Sequence, residues 1–70
     1  MKELTKQIRN NVKELIEKVG GTKNILNQDK IELIDKYTTE EDRKMFNDKM
    51  VEVCTIVDNQ IDYFKYRKGM

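Results

Sequence analysis

The sequence predicts an all-α fold in which a long C-terminal helix packs against the shorter helices before it. Apolar residues recur at intervals of three and four in both halves of the chain, which places them on one face of a helix. Two adjacent glycines, at positions 20 and 21, separate the periodic segments, and residues 38–68 contain neither glycine nor proline. We therefore predict three helices, at about 2–19, 27–37 and 39–67, forming a helical hairpin or a small bundle.

The first predicted helix is amphipathic. Its apolar residues fall on one face: Met1, Leu4, Ile8, Val12, Leu15, Ile16 and Val19. Gly20 and Gly21 follow at once, and glycine is common just after a helix because it adopts positive φ without steric cost. The sequence therefore ends this helix at Val19.

Two starts are open for the second helix, since Thr22 and Asn27 are both good N-cap residues. We favour Asn27, because Asp29 after it suits a first helical turn. The side facing the core then carries Leu33, Ile34 and Tyr37. The short connection to the next helix predicts that helices two and three are antiparallel neighbours.

The third predicted helix begins at a capping box. Thr38 is followed three residues later by Glu41, so each side chain can accept a backbone N–H at the helix start. An apolar stripe then runs along the helix: Phe46, Met50, Val53, Cys54, Val57, Ile61 and Phe64. We expect a core in which the first helix meets this stripe, made of Ile8, Val12, Leu15, Met50, Val53 and Val57.

Composition limits the class of protein. A chain of 70 residues forms one small domain, residues 1–70, which buries only about 60% of its unfolded surface. Apolar residues make up 37% and charged residues 39%, and no apolar run approaches the roughly 18 residues of a membrane span. The N-terminus enters a helical pattern directly, without the apolar core of a signal peptide. We expect a cytoplasmic protein that does not contact a membrane.

The sequence lacks residue types that several kinds of catalytic and metal site require. The sequence contains no histidine and no serine, so it offers no Ser-His triad and no histidine metal ligand. The acidic run Glu40, Glu41 and Asp42 suits the first turn of a helix, and Asp58 with Asp62 suits a solvated face. Cys54 is best explained as a small buried hydrophobe. We therefore predict no catalytic residue, no cofactor and no metal.

The segment from Val19 to Ile25 reads Val-Gly-Gly-Thr-Lys-Asn-Ile after an amphipathic helix. It resembles the start of the B domain of glucose-type sugar phosphotransferase systems, where Gly-Gly-x-x-Asn-Ile precedes a strand that carries a phosphorylated cysteine. That family would require a cysteine shortly downstream, and the one cysteine here is Cys54, within a helical pattern. Because the match covers seven residues, neither the fold nor the activity is carried over.

Apolar residues on the third helix exceed what two shorter helices can cover. Met45, Ile56 and Tyr63 form a second strip beside the main stripe, so we expect a homodimer, the commonest assembly of soluble chains. The predicted dimer or partner interface comprises Met45, Ile56, Ile61, Tyr63 and Phe64. The alternative is that these are scattered surface hydrophobes, which are common.

The C-terminal segment interleaves three aromatic residues with three cations. Such a mixture can stack bases and neutralise phosphates, which makes a nucleic-acid contact possible at Lys65, Tyr66, Arg67 and Lys68. The alternative is that the helix dipole favours cations in a last turn while the aromatic rings pack at the edge of the core.

Taken together, these patterns favour a small non-enzymatic regulator or inhibitor that acts by protein–protein interaction. It would bind itself and another protein through helical faces. The alternative is a nucleic-acid-binding accessory protein that uses the basic C-terminal tail. With 14 basic and 13 acidic residues, the net charge of +1 provides no overall electrostatic attraction to nucleic acid.

Overall fold

The described part of the chain folds into four α-helices and one short 3-10 turn. The computed structural model describes the backbone of residues 3–68 and the side chains of residues 3–66. The helices are α1 (Glu3–Val19), α2 (Asn27–Tyr37), α3 (Glu40–Met45) and α4 (Asp48–Lys68), with the 3-10 turn at Thr22–Asn24. The predicted all-α fold is confirmed, and α4 packs against both α1 and α2. Lys2, at the predicted start of the first helix, lies outside the described residues.

Gly20 and Gly21 end α1, as predicted. Their backbone N–H groups both donate to the carbonyl of Ile16, at 2.9 and 3.0 Å. The φ angles of the two glycines are 87° and 135°, values that strain any residue with a Cβ. Asn24 adds a side-chain cap, donating from Nδ2 to the carbonyl of Val19 at 2.9 Å.

α2 occupies the predicted range, but its cap differs from the prediction. Leu26, not Asn27, precedes the first turn, and its backbone N–H donates to the Asp29 carboxylate at 3.0 Å. At the other end, the Thr38 hydroxyl donates to the carbonyl of Ile34 at 2.7 Å. The Asp29 carboxylate thus accepts the backbone N–H that precedes the helix, whereas Asn27, the predicted cap, lies in the first turn.

The three longer helices run up, down and up. Tyr37, at the end of α2, hydrogen-bonds to Gln7 near the start of α1, so α1 and α2 are antiparallel. α4 runs parallel to α1, because Arg9 meets Gln60 and, further along both helices, Ile16 and Phe64 line one groove. The described part of the chain measures 38 × 27 × 15 Å.

The core lies where α1, α2 and α4 meet. Its buried apolar residues are Ile8, Val12, Leu33, Val53, Val57 and Ile61. Four predicted core residues, Ile8, Val12, Val53 and Val57, have no exposed surface. Leu15 and Met50 are half-buried, because each lies towards an end of its helix.

The predicted long helix over 39–67 is interrupted at Phe46 and Asn47. Phe46 has φ 50° and ψ 49°, the left-handed conformation, and ends α3. Asn47 starts α4, since its Oδ1 accepts the backbone N–H of Met50 at 3.1 Å. Phe46 therefore points away from the apolar stripe that we predicted for it, and the chain turns an elbow there.

The capping box of α3 lies one residue later than predicted. Thr39 Oγ1 accepts the N–H of Asp42 at 3.1 Å, and the N–H of Thr39 donates to the Asp42 carboxylate at 2.9 Å. Thr38 and Glu41 do not form the box, because the Thr38 hydroxyl is used at the end of α2.

Candidate functional site

Exposed apolar side chains gather at the elbow between α3 and α4. Met45, Phe46 and Val51 are all exposed, and Phe46 retains 65% of its accessible surface. We call these three residues the elbow patch. α3 itself has no buried residue, so apolar packing contributes little to its position.

Polar contacts of Asp42 and Asn47 fix the elbow instead. Asn47 donates to the Asp42 carboxylate at 2.7 Å from its side chain and to the Asp42 carbonyl at 3.3 Å from its backbone. The hydrogen bond from the Thr39 backbone, followed by that from the Asn47 side chain, lowers the pKa of the Asp42 carboxyl below its ordinary 3.8. The ionised carboxylate is therefore the form that holds the elbow.

Arg43 ties α3 to the end of α2. Its Nη1 donates to both the carbonyl and the hydroxyl oxygen of Thr38, each at 2.9 Å. Its Nε lies 3.2 Å from the carboxylate of Asp35. Because helix ends leave carbonyls without helical partners, one guanidinium both caps α2 and orients α3.

A second exposed cluster lies along the seam between α1 and α4. Arg9 donates from Nε to Oε1 of Gln60 at 2.9 Å, and Gln60 is only 7% exposed. The guanidinium carbon of Arg9 is 5.3 Å from the ring centroid of Tyr63. The Tyr63 ring in turn meets Phe64 edge to face, with centroids 5.2 Å apart. Arg9 is thus held between a buried amide and an aromatic ring.

Beside this cluster is a groove of about 350 Å³, in the size range of ligand pockets. Its lining comes from both helices and the glycine turn: Lys13, Ile16, Glu17, Gly21, Thr22, Tyr63 and Phe64. The groove therefore combines aromatic and aliphatic walls with charged groups.

A cleft of about 300 Å³ between α1 and α2 is charged. It is closed at one end by Asn11, which hydrogen-bonds to the hydroxyl of Tyr37 and accepts from Lys36 Nζ at 3.1 Å. Burial raises the pKa of the Tyr37 hydroxyl above its ordinary 10.0. Such contacts are expected wherever two helices pack, so we interpret the cleft between α1 and α2 as a structural feature.

The predicted interface residues fall on different surfaces. Met45 belongs to the elbow patch, whereas Tyr63 is exposed near the far end of α4. Ile56 and Phe64 are half-buried and pack against the core. Ile61 is part of the core itself, so its side chain is used within the chain rather than offered to a partner.

The predicted nucleic-acid residues are described in part. Lys65 and Tyr66 are exposed, with Lys65 Nζ 5.9 Å from the Tyr66 ring centroid. The side chains of Arg67 and Lys68 lie outside the described residues. Sequence reasoning missed Arg9 and Lys13 as neighbours of Tyr63, just before this segment, although their spacing of four indicates a shared face of α1.

Other candidate groups are structural. Burial, and then the nearby carboxylate of Asp58, raise the pKa of the half-buried Cys54 thiol, which disfavours the reactive thiolate. Among the described residues, no group of three or more acidic, cysteine or histidine side chains is placed to hold a metal ion. Within that same part of the chain, no helix is long and apolar enough to cross a bilayer.

Comparison with protein-family models, curated proteins and solved structures found no match to this chain.

Proposed function

We propose that this chain is a small regulator or inhibitor that acts by protein–protein interaction and self-associates through the elbow patch as a homodimer. The observation that carries the proposal is Phe46, an aromatic residue held in the left-handed conformation and 65% exposed. The left-handed conformation costs a non-glycine residue about 1–2 kcal/mol. Backbone strain of this kind concentrates at functional sites, where it is part of the mechanism.

Exposure of the Phe46 side chain adds a second unfavourable contribution to the free energy of the unbound chain. A fully buried phenylalanine side chain contributes about 1.5–3 kcal/mol relative to an exposed one, and Phe46 leaves most of that gain unused. Met45, the preceding residue, and Val51, five residues later in α4, are exposed as well. Binding a partner at the elbow patch would recover this free energy, and no strain would have to be added.

The favoured partner at the elbow patch is a second copy of the chain. Four exposed charged residues flank the patch in sequence, two of each sign: Glu41, Lys44, Asp48 and Lys49. In a two-fold interface the same surface meets itself, so a rim with both signs can pair with its own copy. An apolar centre with a charged rim is also the usual anatomy of a protein interface.

A regulator or inhibitor of this kind needs only to bind its target and does not need to catalyse a reaction. No set of side chains in the described residues suggests a reaction, and the sequence lacks histidine and serine. A non-enzymatic, cytoplasmic binding protein that presents helical faces to itself and to a target is the function that we propose.

Replacing Phe46 with asparagine tests the proposal. Asparagine tolerates the left-handed conformation, so Phe46→Asn keeps the elbow and removes the aromatic ring. We expect sedimentation equilibrium to show a dimer for the wild type. For Phe46→Asn the dimer dissociation constant should rise by about tenfold or more, because a loss of about 1.4 kcal/mol changes affinity tenfold.

Leu26→Asn is the matched control, since Leu26 is also 65% exposed but lies before α2. It should leave the dimer unchanged. A wild type that stays monomeric at about 0.1 mM, or equal weakening by both variants, would contradict self-association through the elbow.

A second candidate function is nucleic-acid binding by the C-terminal tail. The observation in its favour is that Tyr66 is 71% exposed with the Lys65 ammonium near its ring. An exposed aromatic ring beside a cation suits a base and its phosphate.

A further inference from the structure

Charge is unevenly distributed over the fold. Residues 27–62, which form α2, α3 and most of α4, contain ten acidic and five basic residues. Residues 1–26 and 63–70 contain three acidic and nine basic residues. α1 and the C-terminal part of α4 lie side by side, because Arg9 contacts both Gln60 and Tyr63. The nearly neutral chain is therefore polarised along its sequence, and Arg9 and Lys13 lie where α1 meets the C-terminal part of α4.

A basic stripe runs along this side of α1. Lys6, Arg9 and Lys13 follow at intervals of three and four, so they occupy one face and rise along the axis by about 4.5 and 6 Å. No acidic residue occurs between Lys6 and Lys13, and both lysines are exposed. Glu17, one turn beyond Lys13, ends the stripe. This spacing suits successive groups of a ligand that carries repeated negative charge.

Arg9 is positioned before any ligand arrives. Its Nε is occupied by the buried amide of Gln60, and its guanidinium lies over the Tyr63 ring. This arrangement fixes the plane of the guanidinium and leaves its two terminal nitrogens as donors. Such a pair of donors matches the oxygens of a phosphate.

Aromatic surface lies next to these cations. Tyr63 and Tyr66 are three residues apart on α4, and both are exposed. The groove of about 350 Å³ is lined by Tyr63, with Phe64 and Ile16 as apolar walls and with Lys13 and Glu17 as its charged groups. A planar apolar group attached to an anion would satisfy both parts of the site.

We propose that Lys6, Arg9, Lys13, Tyr63 and Tyr66 form a binding surface, the seam surface, for single-stranded nucleic acid. The cations of α1 contact successive phosphates, while an unpaired base enters the groove or stacks on the aromatic residues of α4. A duplex keeps its bases stacked inside and cannot use the groove. The seam surface is separate from the elbow patch, so each can fail without the other.

Fluorescence anisotropy with a labelled oligothymidylate tests the seam surface. For three phosphate contacts on a single strand, the logarithm of affinity should fall with the logarithm of salt concentration with a slope of about −2. Lys6→Glu with Lys13→Glu should weaken binding by about tenfold or more. Tyr66→Ala should weaken it by about fivefold or more, because stacking contributes about 1–3 kcal/mol per base.

The matched control is Lys18→Glu with Lys30→Glu, which changes the net charge equally outside the seam surface: Lys18 lines the cleft between α1 and α2, and Lys30 belongs to α2. This pair should change affinity by less than about threefold, since salt screens charges more than about 10 Å apart. Circular dichroism confirms that every variant keeps its helices. Lys65→Glu with Lys68→Glu separates the tail from the seam surface.

Four results would overturn the inference. The first is no binding at low salt with protein at about 0.1 mM. The second is equal loss in the seam pair and the control pair, or loss in the tail pair alone. The third is a duplex of the same sequence binding as tightly as the single strand. The fourth is displacement by polyglutamate as effective as displacement by unlabelled oligothymidylate, which would assign the surface to acidic proteins.

Discussion

The α1–α4 contact and the α3–α4 elbow are held together by different physical means. Where α1 meets α4, Val12 and Val53 are fully buried, and apolar packing dominates. At the elbow, α3 has no buried residue and is positioned by hydrogen bonds of Asp42, Arg43 and Asn47. The first region therefore accounts for most of the stability, whereas the second displays apolar groups without burying them.

Within one turn, α4 has both a buried apolar residue and an exposed one. Val53 faces the core and Val51 faces solvent, although only Glu52 lies between them in sequence. Because Val51 is exposed and Val53 is buried, we expect that exposed side chains at the elbow can be substituted without loss of the fold. That separation is what a binding surface requires.

The largest effect should come from Val53→Asp set against Val51→Asp. Burying an unpaired carboxylate costs several kcal/mol, which is comparable with the whole stability of a domain this small, so Val53→Asp should unfold the protein. Val51→Asp should cost less than about 1 kcal/mol, because its side chain reaches water. Urea denaturation of dilute protein measures both. Similar losses in the two variants would show that the regions do not differ as described.

An intermediate effect is expected from Arg43→Ala. The change removes the two Thr38 hydrogen bonds and the Asp35 ion pair, and partial exposure of the groups limits the loss to about 1–2 kcal/mol. Lys44→Ala, at the neighbouring exposed position, should change the free energy of unfolding by less than about 0.5 kcal/mol. Thermal unfolding checks the pair, and equal behaviour would mean that Arg43 does not anchor α3.

The smallest effect should be a pH dependence at the elbow. The folded-state pKa of Asp42 lies below the ordinary 3.8, so its ionised form stabilises the fold at pH values above 3.8. That contribution should disappear as the pH falls from 3.8 through the lower folded-state value. Asp42→Asn should flatten this part of the stability profile, measured by denaturation at a series of pH values. Glu41→Gln is the control, and a profile unchanged by Asp42→Asn would contradict the role of the carboxylate.

Local signals in the sequence located the helix ends that local chemistry determines. Gly20 and Gly21 predict the end of α1, because their positive φ is a property of the residue type itself. The repeat of Val53 and Val57 predicts the buried face of α4, since a periodic stripe faces one way whatever it packs against.

Two other features were not predictable in the same way, one because its local signal is weak and one because it depends on a distant residue. The break at Phe46 lacks a glycine, and its one local signal is Asn47, a residue that favours helix starts. Gln60 interrupts the apolar stripe, and its partner Arg9 lies 51 residues earlier in the chain. A pattern read along one helix contains no information about such a pair.

The parallel packing of α1 on α4 has a consequence for the way the chain is made. α1 leaves the ribosome before α2 and α3, and its principal partner, α4, leaves after them. Ile61, which completes the core, is translated about 40 residues after Val19, an interval of roughly 2–8 s at ordinary rates of synthesis. During that interval Ile8 and Val12 can meet core residues of α1 and α2, such as Leu33 and Ile34, before the α4 side of the core is complete. The core of this fold must therefore wait until α4 has been made.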